Sequence, residues 1–187
     1  MTAGRTPPPT RATLASRAYL DLRAIAKKSG RANDEYGRPY ALEGFLLRLA
    51  TSASSQDFVL KGGVLLAAYQ LRRPTADIDF AALKTSNDVG TIKSMIITVA
   101  DTQLPDDHDE RLWFDTSDTH AVAIRDEDAY SGVRVTLGAQ LATAKMRFYV
   151  DVTVGEANSS EQRNTGGCWR LSWDLLEVGL GRRGRRR

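Results

Sequence analysis

The sequence predicts a mixed domain of the α+β or α/β class, in which helices surround a central mixed sheet. Three observations predict it. Apolar residues recur at helical spacing through the N-terminal quarter of the chain. Short β-branched segments of alternating polarity follow them. A length of 187 residues suits one domain with a sizeable core, and is short for two.

The N-terminal segment predicts two helices. Over residues 14–28 apolar side chains return every three or four positions, and Gly30 is a typical residue for ending such a helix. Gly37 to Pro39 predicts a break in the chain, since both residue types disfavour helix interiors. A second amphipathic helix is therefore expected from Tyr40 to Ala50.

The remainder alternates between strand and helix patterns. Strands are predicted at 76–81, 122–124, 133–137 and 146–154, with a short strand or buried turn at 58–60. Further helices are predicted at 64–71 and 87–99, an acidic loop at 104–118, and turns at Gly132 and Gly138. Helices first and strands later favour one central sheet.

The charge is distributed unevenly along the chain. The net charge of +3 divides into +5 for residues 1–40, +5 for residues 181–187, and therefore −7 for the residues between them. An acidic body suits a site built from carboxylates and a metal ion, and basic ends suit contact with a polyanion such as RNA. A solvated, disordered terminus is the alternative interpretation of the arginine-rich tail.

Other function classes are disfavoured by composition. The longest apolar run, Val64–Ala68, is far too short to cross a bilayer, and residues 1–11 lack the apolar segment of a secretory signal. Cys168 is the single cysteine, so an internal disulfide framework is excluded. We therefore expect a cytoplasmic protein with no membrane partner.

A glycine turn and a pair of aspartates form the sharpest motif. Lys61 is followed by Gly62 and Gly63, whose missing side chains would let backbone N–H groups approach a phosphate closely. Asp77 and Asp79 are two residues apart on a predicted strand, so both carboxylates point to one face. A divalent cation would relieve the repulsion between them.

Asp151 supplies a third carboxylate in the middle of a later strand. Alternation places it on the polar face, opposite Val150 and Val152, where an acid needs a positive partner nearby. Oxygen ligands favour Mg²⁺, with Mn²⁺ as its usual substitute. Each feature alone is also typical of an ordinary turn or strand edge. Their combination favours the metal site of a nucleotidyl-transfer enzyme.

The same segments resemble a known family. Tyr40–Leu49, Phe58–Gly63 and Arg73–Asp79 resemble the opening of AbiEii-type nucleotidyltransferase toxins. Gly132–Val135, followed by Val150–Val152, resembles a later part of the same proteins. The pairing of Lys-Gly-Gly with Arg-Pro-Thr-x-Asp-Ile-Asp is the most specific element of this resemblance.

The resemblance implies a polymerase-β-type nucleotidyltransferase fold, an NTP donor and a cognate antitoxin protein. It also implies an RNA acceptor, because the MenT toxins of this family modify the 3′ acceptor end of tRNA and block translation. By position it assigns metal- and nucleotide-binding roles to eight residues. Asp77 and Asp79 would bind the metal, Asp151 would be the third acid that activates the attacking hydroxyl, Gly62 and Gly63 would bind the triphosphate, Thr75 would lie beside the phosphates, and Lys61 and Arg73 would neutralise phosphate charge.

The resemblance also divides the chain. Residues 1–12 are expected to be disordered, 13–156 to form the nucleotidyltransferase domain, and 157–187 to form an atypical C-terminal segment. Beyond Gly155 the family's further lysine and aspartate find no counterpart, which suggests the hypothesis of a truncation or a change of reading frame. Two alternatives stay open: a non-catalytic module that binds antitoxin or RNA, and the same site acting on a protein hydroxyl or a small molecule.

Overall fold

The computed structural model describes residues 9–61, 77–83, 85–104, 112–125 and 131–154. The helices are α1 (Leu14–Ser29), α2 (Asp34–Thr51) and α3 (Val89–Ala100), and a 3₁₀ turn covers Ala53–Gln56. The strands are β1 (Phe58–Lys61), β2 (Asp77–Ala82), β3 (Leu112–Arg125), β4 (Ser131–Leu141) and β5 (Ala144–Val154). Within these ranges the mixed α and β prediction is confirmed. The predicted helix at 64–71 and the segment 157–187 lie outside the described residues.

Local capping interactions mark both ends of α1 and the start of α3. The hydroxyl of Thr13 accepts a hydrogen bond from the Ser16 backbone N–H at 3.1 Å at the start of α1. Gly30 ends α1 with φ of 68°, a left-handed conformation that glycine adopts without steric cost, as the sequence predicted. Asp88 caps α3 by accepting from the Thr91 N–H at 2.7 Å.

The predicted break at Gly37 to Pro39 is wrong, because α2 runs straight through it. Gly37 is buried, and a Cβ atom added there would lie 2.7 Å from the sulfur of Met146, so glycine permits close packing of α2 on β5. Pro39 has no backbone N–H to donate to the carbonyl of Glu35, which is an exposed residue. Packing on the sheet therefore outweighs the local preference.

The sheet has the order β1-β2-β5-β4-β3. The β2 and β5 strands are parallel, and the other three neighbouring pairs are antiparallel, so the sheet is mixed. This topology places β2 and β5, which are distant in the sequence, side by side in the middle of the sheet. The predicted aspartates of both strands therefore lie near its centre.

Two predictions in the second half are corrected. The acidic loop predicted at 104–118 is wrong from Leu112 onward, where β3 begins. Leu112 and Phe114 are buried while Trp113 is 58% exposed, so a strand alternation is present among the polar residues. The turns predicted at Gly132 and Gly138 are also wrong, since both lie inside β4 and β4 turns into β5 at residues 142–143.

The core lies on one face of the sheet. The helices α1, α2 and α3 contact β4, β5 and β3, respectively. At the centre Phe45 of α2 packs edge-on against Phe114 and Phe148, with ring centroids 6.1 and 5.9 Å away. Aromatic pairs in this geometry add to the free energy of burial.

The opposite face of the sheet carries polar side chains and forms the site described below. No helix among the described residues has the length and apolar character needed to cross a bilayer.

Candidate active site

Asp77 and Asp79 lie on the polar face of β2. Their neighbours Ile78 and Phe80 are fully buried on the core face, while both aspartates are partly exposed. The predicted orientation of the two carboxylates is therefore confirmed. It follows from the two-residue period of an extended chain, in which burial of the two apolar side chains directs both acids outward.

Asp151 occupies the corresponding face of β5. Val150 and Val152 on either side of it are fully buried, and Asp151 itself is 9% exposed. In the parallel pairing of β2 and β5, Asp79 is the register partner of Asp151. Adjacent strands are about 4.8 Å apart, so these two side chains are direct neighbours. Asp77, Asp79 and Asp151 are called the carboxylate cluster below.

Charged side chains on four adjacent strands form a row across the centre of the sheet. Lys61 of β1 pairs with Asp79, Asp79 pairs with Asp151, and Asp151 pairs with Arg134 of β4. The order of charges along this row is positive, negative, negative, positive. Lys61 is exposed and its ammonium group donates to the Thr153 hydroxyl at 3.2 Å. Two cations thus flank two carboxylates, one on each side.

Arg134 is the site residue that sequence reasoning missed. Its Nε donates to one oxygen of Asp151 at 2.8 Å, and its terminal nitrogen donates to the other at 2.6 Å. The guanidinium carbon also lies 5.3 Å from the ring centroid of Tyr149. The available signal was the alternation of Arg134 with Val133 and Val135, both fully buried, which points the arginine to the same face as Asp151.

The charges of the cluster influence one another. Burial raises the pKa of Asp79, the nearby negative charges of Asp77 and Asp151 raise it further, and Lys61 and Arg134 partly oppose this rise. The hydrogen bond to Asp151 raises the pKa of Arg134 above its already high value, so this arginine is charged at any physiological pH. A carboxylate whose pKa is shifted by burial and by specific charged neighbours is typical of functional sites.

The donor chemistry of the cluster fits a hard divalent cation. It offers carboxylate oxygens only, which suit Mg²⁺ and Mn²⁺ rather than the softer metals. Among the residues that the structure describes, no group of three or more His, Cys, Asp or Glu side chains is arranged to hold a metal ion. Both oxygens of Asp151 accept hydrogen bonds from Arg134, so the arginine competes with a cation for the third carboxylate.

The described residues contain half of the predicted site. Asp77, Asp79, Asp151 and Lys61 come together on adjacent strands. The other predicted residues, Gly62, Gly63, Arg73 and Thr75, lie in 62–76, outside the described ranges. Lys61, at the end of β1, and Asp77, at the start of β2, are the described residues on either side of that range.

Comparison with known proteins agrees with the geometry. A family model described as nucleotidyl transferase AbiEii toxin, type IV toxin–antitoxin system, matches residues 44–165, which is more than half of the chain. The match includes every residue of the carboxylate cluster together with Lys61 and Arg134. It confirms the resemblance read from the sequence motifs. A search of curated proteins finds no match.

Proposed function

We propose a function for this chain from its family: the chain belongs to the AbiEii family of nucleotidyl transferase toxins, which act in type IV toxin–antitoxin systems. A toxin of such a system has an antitoxin as its partner. We infer that this chain is a metal-dependent enzyme that transfers a nucleoside monophosphate from an NTP to RNA, at the 3′ acceptor end of tRNA. Modification of that end would block translation in the cytoplasm.

The observation that carries the proposal is the pairing of Asp79 with Asp151 in register, with Asp77 on the same face. Three carboxylates gathered on neighbouring strands cost free energy unless cations compensate them, and Lys61 and Arg134 do so only in part, since the pKa of Asp79 stays raised. Phosphoryl and nucleotidyl transfer uses that arrangement, because the same cation binds phosphate oxygens. The acidic composition between the basic chain ends supports the same proposal.

In the proposed reaction each acid has a defined task. Asp77 and Asp79, with Asp151 as the third carboxylate, would hold Mg²⁺, or Mn²⁺ in its place, which when bound neutralises phosphate charge and orients the α-phosphate. Asp151, one strand away, would orient the attacking hydroxyl of the acceptor and accept its proton. The hydroxyl oxygen would then bond to the α-phosphorus of the NTP while the bond to the β-phosphate oxygen breaks and pyrophosphate leaves. The exposed ammonium group of Lys61, at the edge of the cluster, would bind a phosphate oxygen of the NTP.

The segment 62–76 would complete the nucleotide site. Gly62 and Gly63 would contribute backbone N–H groups to the triphosphate, and Thr75 and Arg73 would lie beside its phosphates. Most of the rate acceleration would then come from positioning and from charge neutralisation, since the protein itself forms no covalent bond to the substrate.

The proposal is tested by incorporation of label from each of the four radiolabelled NTPs into total tRNA, in the presence of Mg²⁺. We expect label from one or more NTPs with the wild-type protein, and a decrease of at least about 10²-fold for Asp77→Ala, the size typical for loss of a group that stabilises transition-state charge. Asp118→Asn is the matched control. Asp118 is an exposed acid of the same sheet, bound to Arg147 instead of the cluster.

Two other results would redirect the assignment. A folded wild-type protein that incorporates no label from any NTP would reject the RNA-modifying enzyme and favour a nucleotidyltransferase-fold module that binds antitoxin or RNA. Equal incorporation by the wild type and Asp77→Ala would reject the carboxylate cluster as the metal centre. Toxicity of the two proteins in cells separates the same alternatives, because a binding module would tolerate the loss of Asp77.

A further inference from the structure

The pair formed by Arg134 and Asp151 is the strongest ionic contact described in the carboxylate cluster. Both nitrogens of the guanidinium edge engage both carboxylate oxygens, at 2.8 and 2.6 Å. Bidentate contacts of this kind are stronger and more specific than a single hydrogen bond. They also occupy the side of Asp151 that faces β4, where the two residues are register partners.

The two partners differ in their freedom to move. The Asp151 side chain is 12% exposed and stands between two fully buried valines, whereas the Arg134 side chain is 41% exposed. The carboxylate is therefore the more enclosed partner, and the guanidinium can leave along the surface without disturbing the core. The ring of Tyr149, which is 39% exposed, lies close enough for a cation–π contact with the guanidinium.

A divalent cation that binds at the cluster would compete with the Arg134 guanidinium for Asp151. Without a metal ion, Arg134 and Lys61 are the cations that flank the cluster along its central row. A divalent ion beside Asp151 would place two positive charges next to the guanidinium, and unscreened like charges at a partly buried site repel strongly. Arginine and metal ion therefore cannot both be held well by this one carboxylate.

We propose, building on the metal-dependent function proposed above, that Arg134 is the resident counterion of the cluster: it holds Asp151 in the metal-free protein and releases it when a divalent cation binds. Arg134 is thus a positioning residue that acts through Asp151. It keeps the third carboxylate oriented and compensated before the substrate arrives. Once it is released from Asp151, the guanidinium can bind the anionic substrate.

The first test measures Mn²⁺ affinity of the full-length protein from the free-ion electron paramagnetic resonance signal. We expect Arg134→Gln to bind Mn²⁺ at least about tenfold more tightly than the wild type, because a competing positive charge is removed from the site. Adding Asp79→Asn to that variant should abolish the gain. Arg147→Gln is the matched control, since it removes an exposed arginine of the same sheet that pairs with Asp118, and should leave affinity unchanged.

The second test follows the wild-type protein itself and uses the conservative variant Arg134→Lys only to assign one signal. Arginine Nε–H groups held in bidentate pairs are protected from exchange with water, so the Arg134 group should give a resolved ¹⁵N resonance, assigned by its loss in Arg134→Lys. Titration of the wild type with Mg²⁺ should shift that resonance and remove its protection. An unchanged resonance at saturating Mg²⁺ would overturn the proposal, whatever the affinities.

The Mn²⁺-binding and resonance results distinguish this proposal from the proposed metal-dependent function on which it rests. Equal Mn²⁺ affinity in the wild type and a folded Arg134→Gln protein would overturn the counterion role and leave the metal centre standing. Absence of Mn²⁺ binding in both proteins would reject the metal centre itself, and the counterion role with it. Tighter binding by the variant together with the Mg²⁺-dependent loss of the Arg134 resonance would support both.

Discussion

Asp79 of β2 and Asp151 of β5 are register partners in a parallel pair of strands, so their side chains lie next to each other on one face of the sheet, a single strand spacing apart. Burial and the two neighbouring acids raise the pKa of Asp79 above its ordinary value of 3.8. The folded protein therefore binds a proton at Asp79 more tightly than the unfolded chain does. Ionised Asp79 lowers the free energy of unfolding of the metal-free protein, and this has measurable consequences.

We expect Asp79→Asn to be more stable than the wild type at pH 7 in buffer that contains a chelator. The sign follows from linkage: the contribution of Asp79 to stability falls as pH rises from 3.8 through its raised pKa, so the neutral amide avoids a penalty present at pH 7. Below about pH 3.8, where the acid is protonated in both states, the difference should vanish. Urea unfolding between pH 3 and pH 7 measures it.

Asp115→Asn provides a control of opposite sign. The hydrogen bond from the Ser117 hydroxyl lowers the pKa of Asp115, so its contribution to stability is present above the ordinary pKa and is lost as pH falls through the lowered one. The asparagine variant should thus be the less stable protein at pH 7. A lower stability of Asp79→Asn at pH 7 would contradict the electrostatic account of the cluster.

Addition of Mg²⁺ should stabilise the wild-type protein. A ligand that binds only the folded state at one hundred times its dissociation constant raises the free energy of unfolding by about 2.7 kcal/mol. Asp79→Asn, which lacks one carboxylate of the proposed metal site, should gain much less from the same addition. Urea unfolding with and without Mg²⁺ measures the effect, and NaCl at equal ionic strength controls for screening. An equal gain in both proteins would place Mg²⁺ elsewhere.

Phe148→Ala should destabilise the protein by about 3–5 kcal/mol, because a fully buried aromatic ring is replaced by a cavity. The ring contacts those of Phe45 and Phe114, with centroids 5.9 and 5.8 Å away. Trp113→Ala is the control on the opposite face, where 58% exposure predicts a change within about 0.5 kcal/mol. Similar losses in the two variants, measured by chemical denaturation, would contradict the assignment of faces.

Arg48→Met should cost about 1–3 kcal/mol, since it removes the hydrogen bonds that a buried guanidinium donates to backbone carbonyl oxygens. The Arg48 guanidinium donates to the carbonyls of Gly44 and Leu112 at 3.1 and 2.8 Å, and lies 4.8 Å from the Phe114 ring centroid. It thereby ties α2 to the first residue of β3. Arg23→Met, at an exposed position on α1, should change the stability very little. Thermal unfolding of both variants measures the difference.

Local features of the sequence determined the capped ends and the faces of the elements. Gly30 stops α1 because glycine accepts a left-handed backbone, a property that depends on its immediate neighbours alone. The alternation around Asp77, Asp79 and Asp151 assigned their orientation correctly, because an extended chain turns each successive side chain to the opposite face. Such local preferences can be predicted from the sequence wherever polar and apolar residues alternate regularly.

The tertiary structure overruled local preference where packing supplied more free energy. Pro39 interrupts a hydrogen bond of α2, yet the helix continues because Gly37 lets it lie against Met146 of β5. The acidic residues near β3 concealed the alternation of Leu112 and Phe114, which are buried only because α3 and the core cover that face. Neither outcome depends on residues adjacent in the chain.

By itself, then, the sequence determined which way Asp77, Asp79 and Asp151 point from their own strands. Only the tertiary structure decided which of them meet. Asp79 lies beside Asp151, and Asp151 beside Arg134, because β5 enters the sheet between β2 and β4 in one particular register. The burial of apolar side chains from distant segments selects that register, since a slip of one residue would turn every acid of the strand into the core.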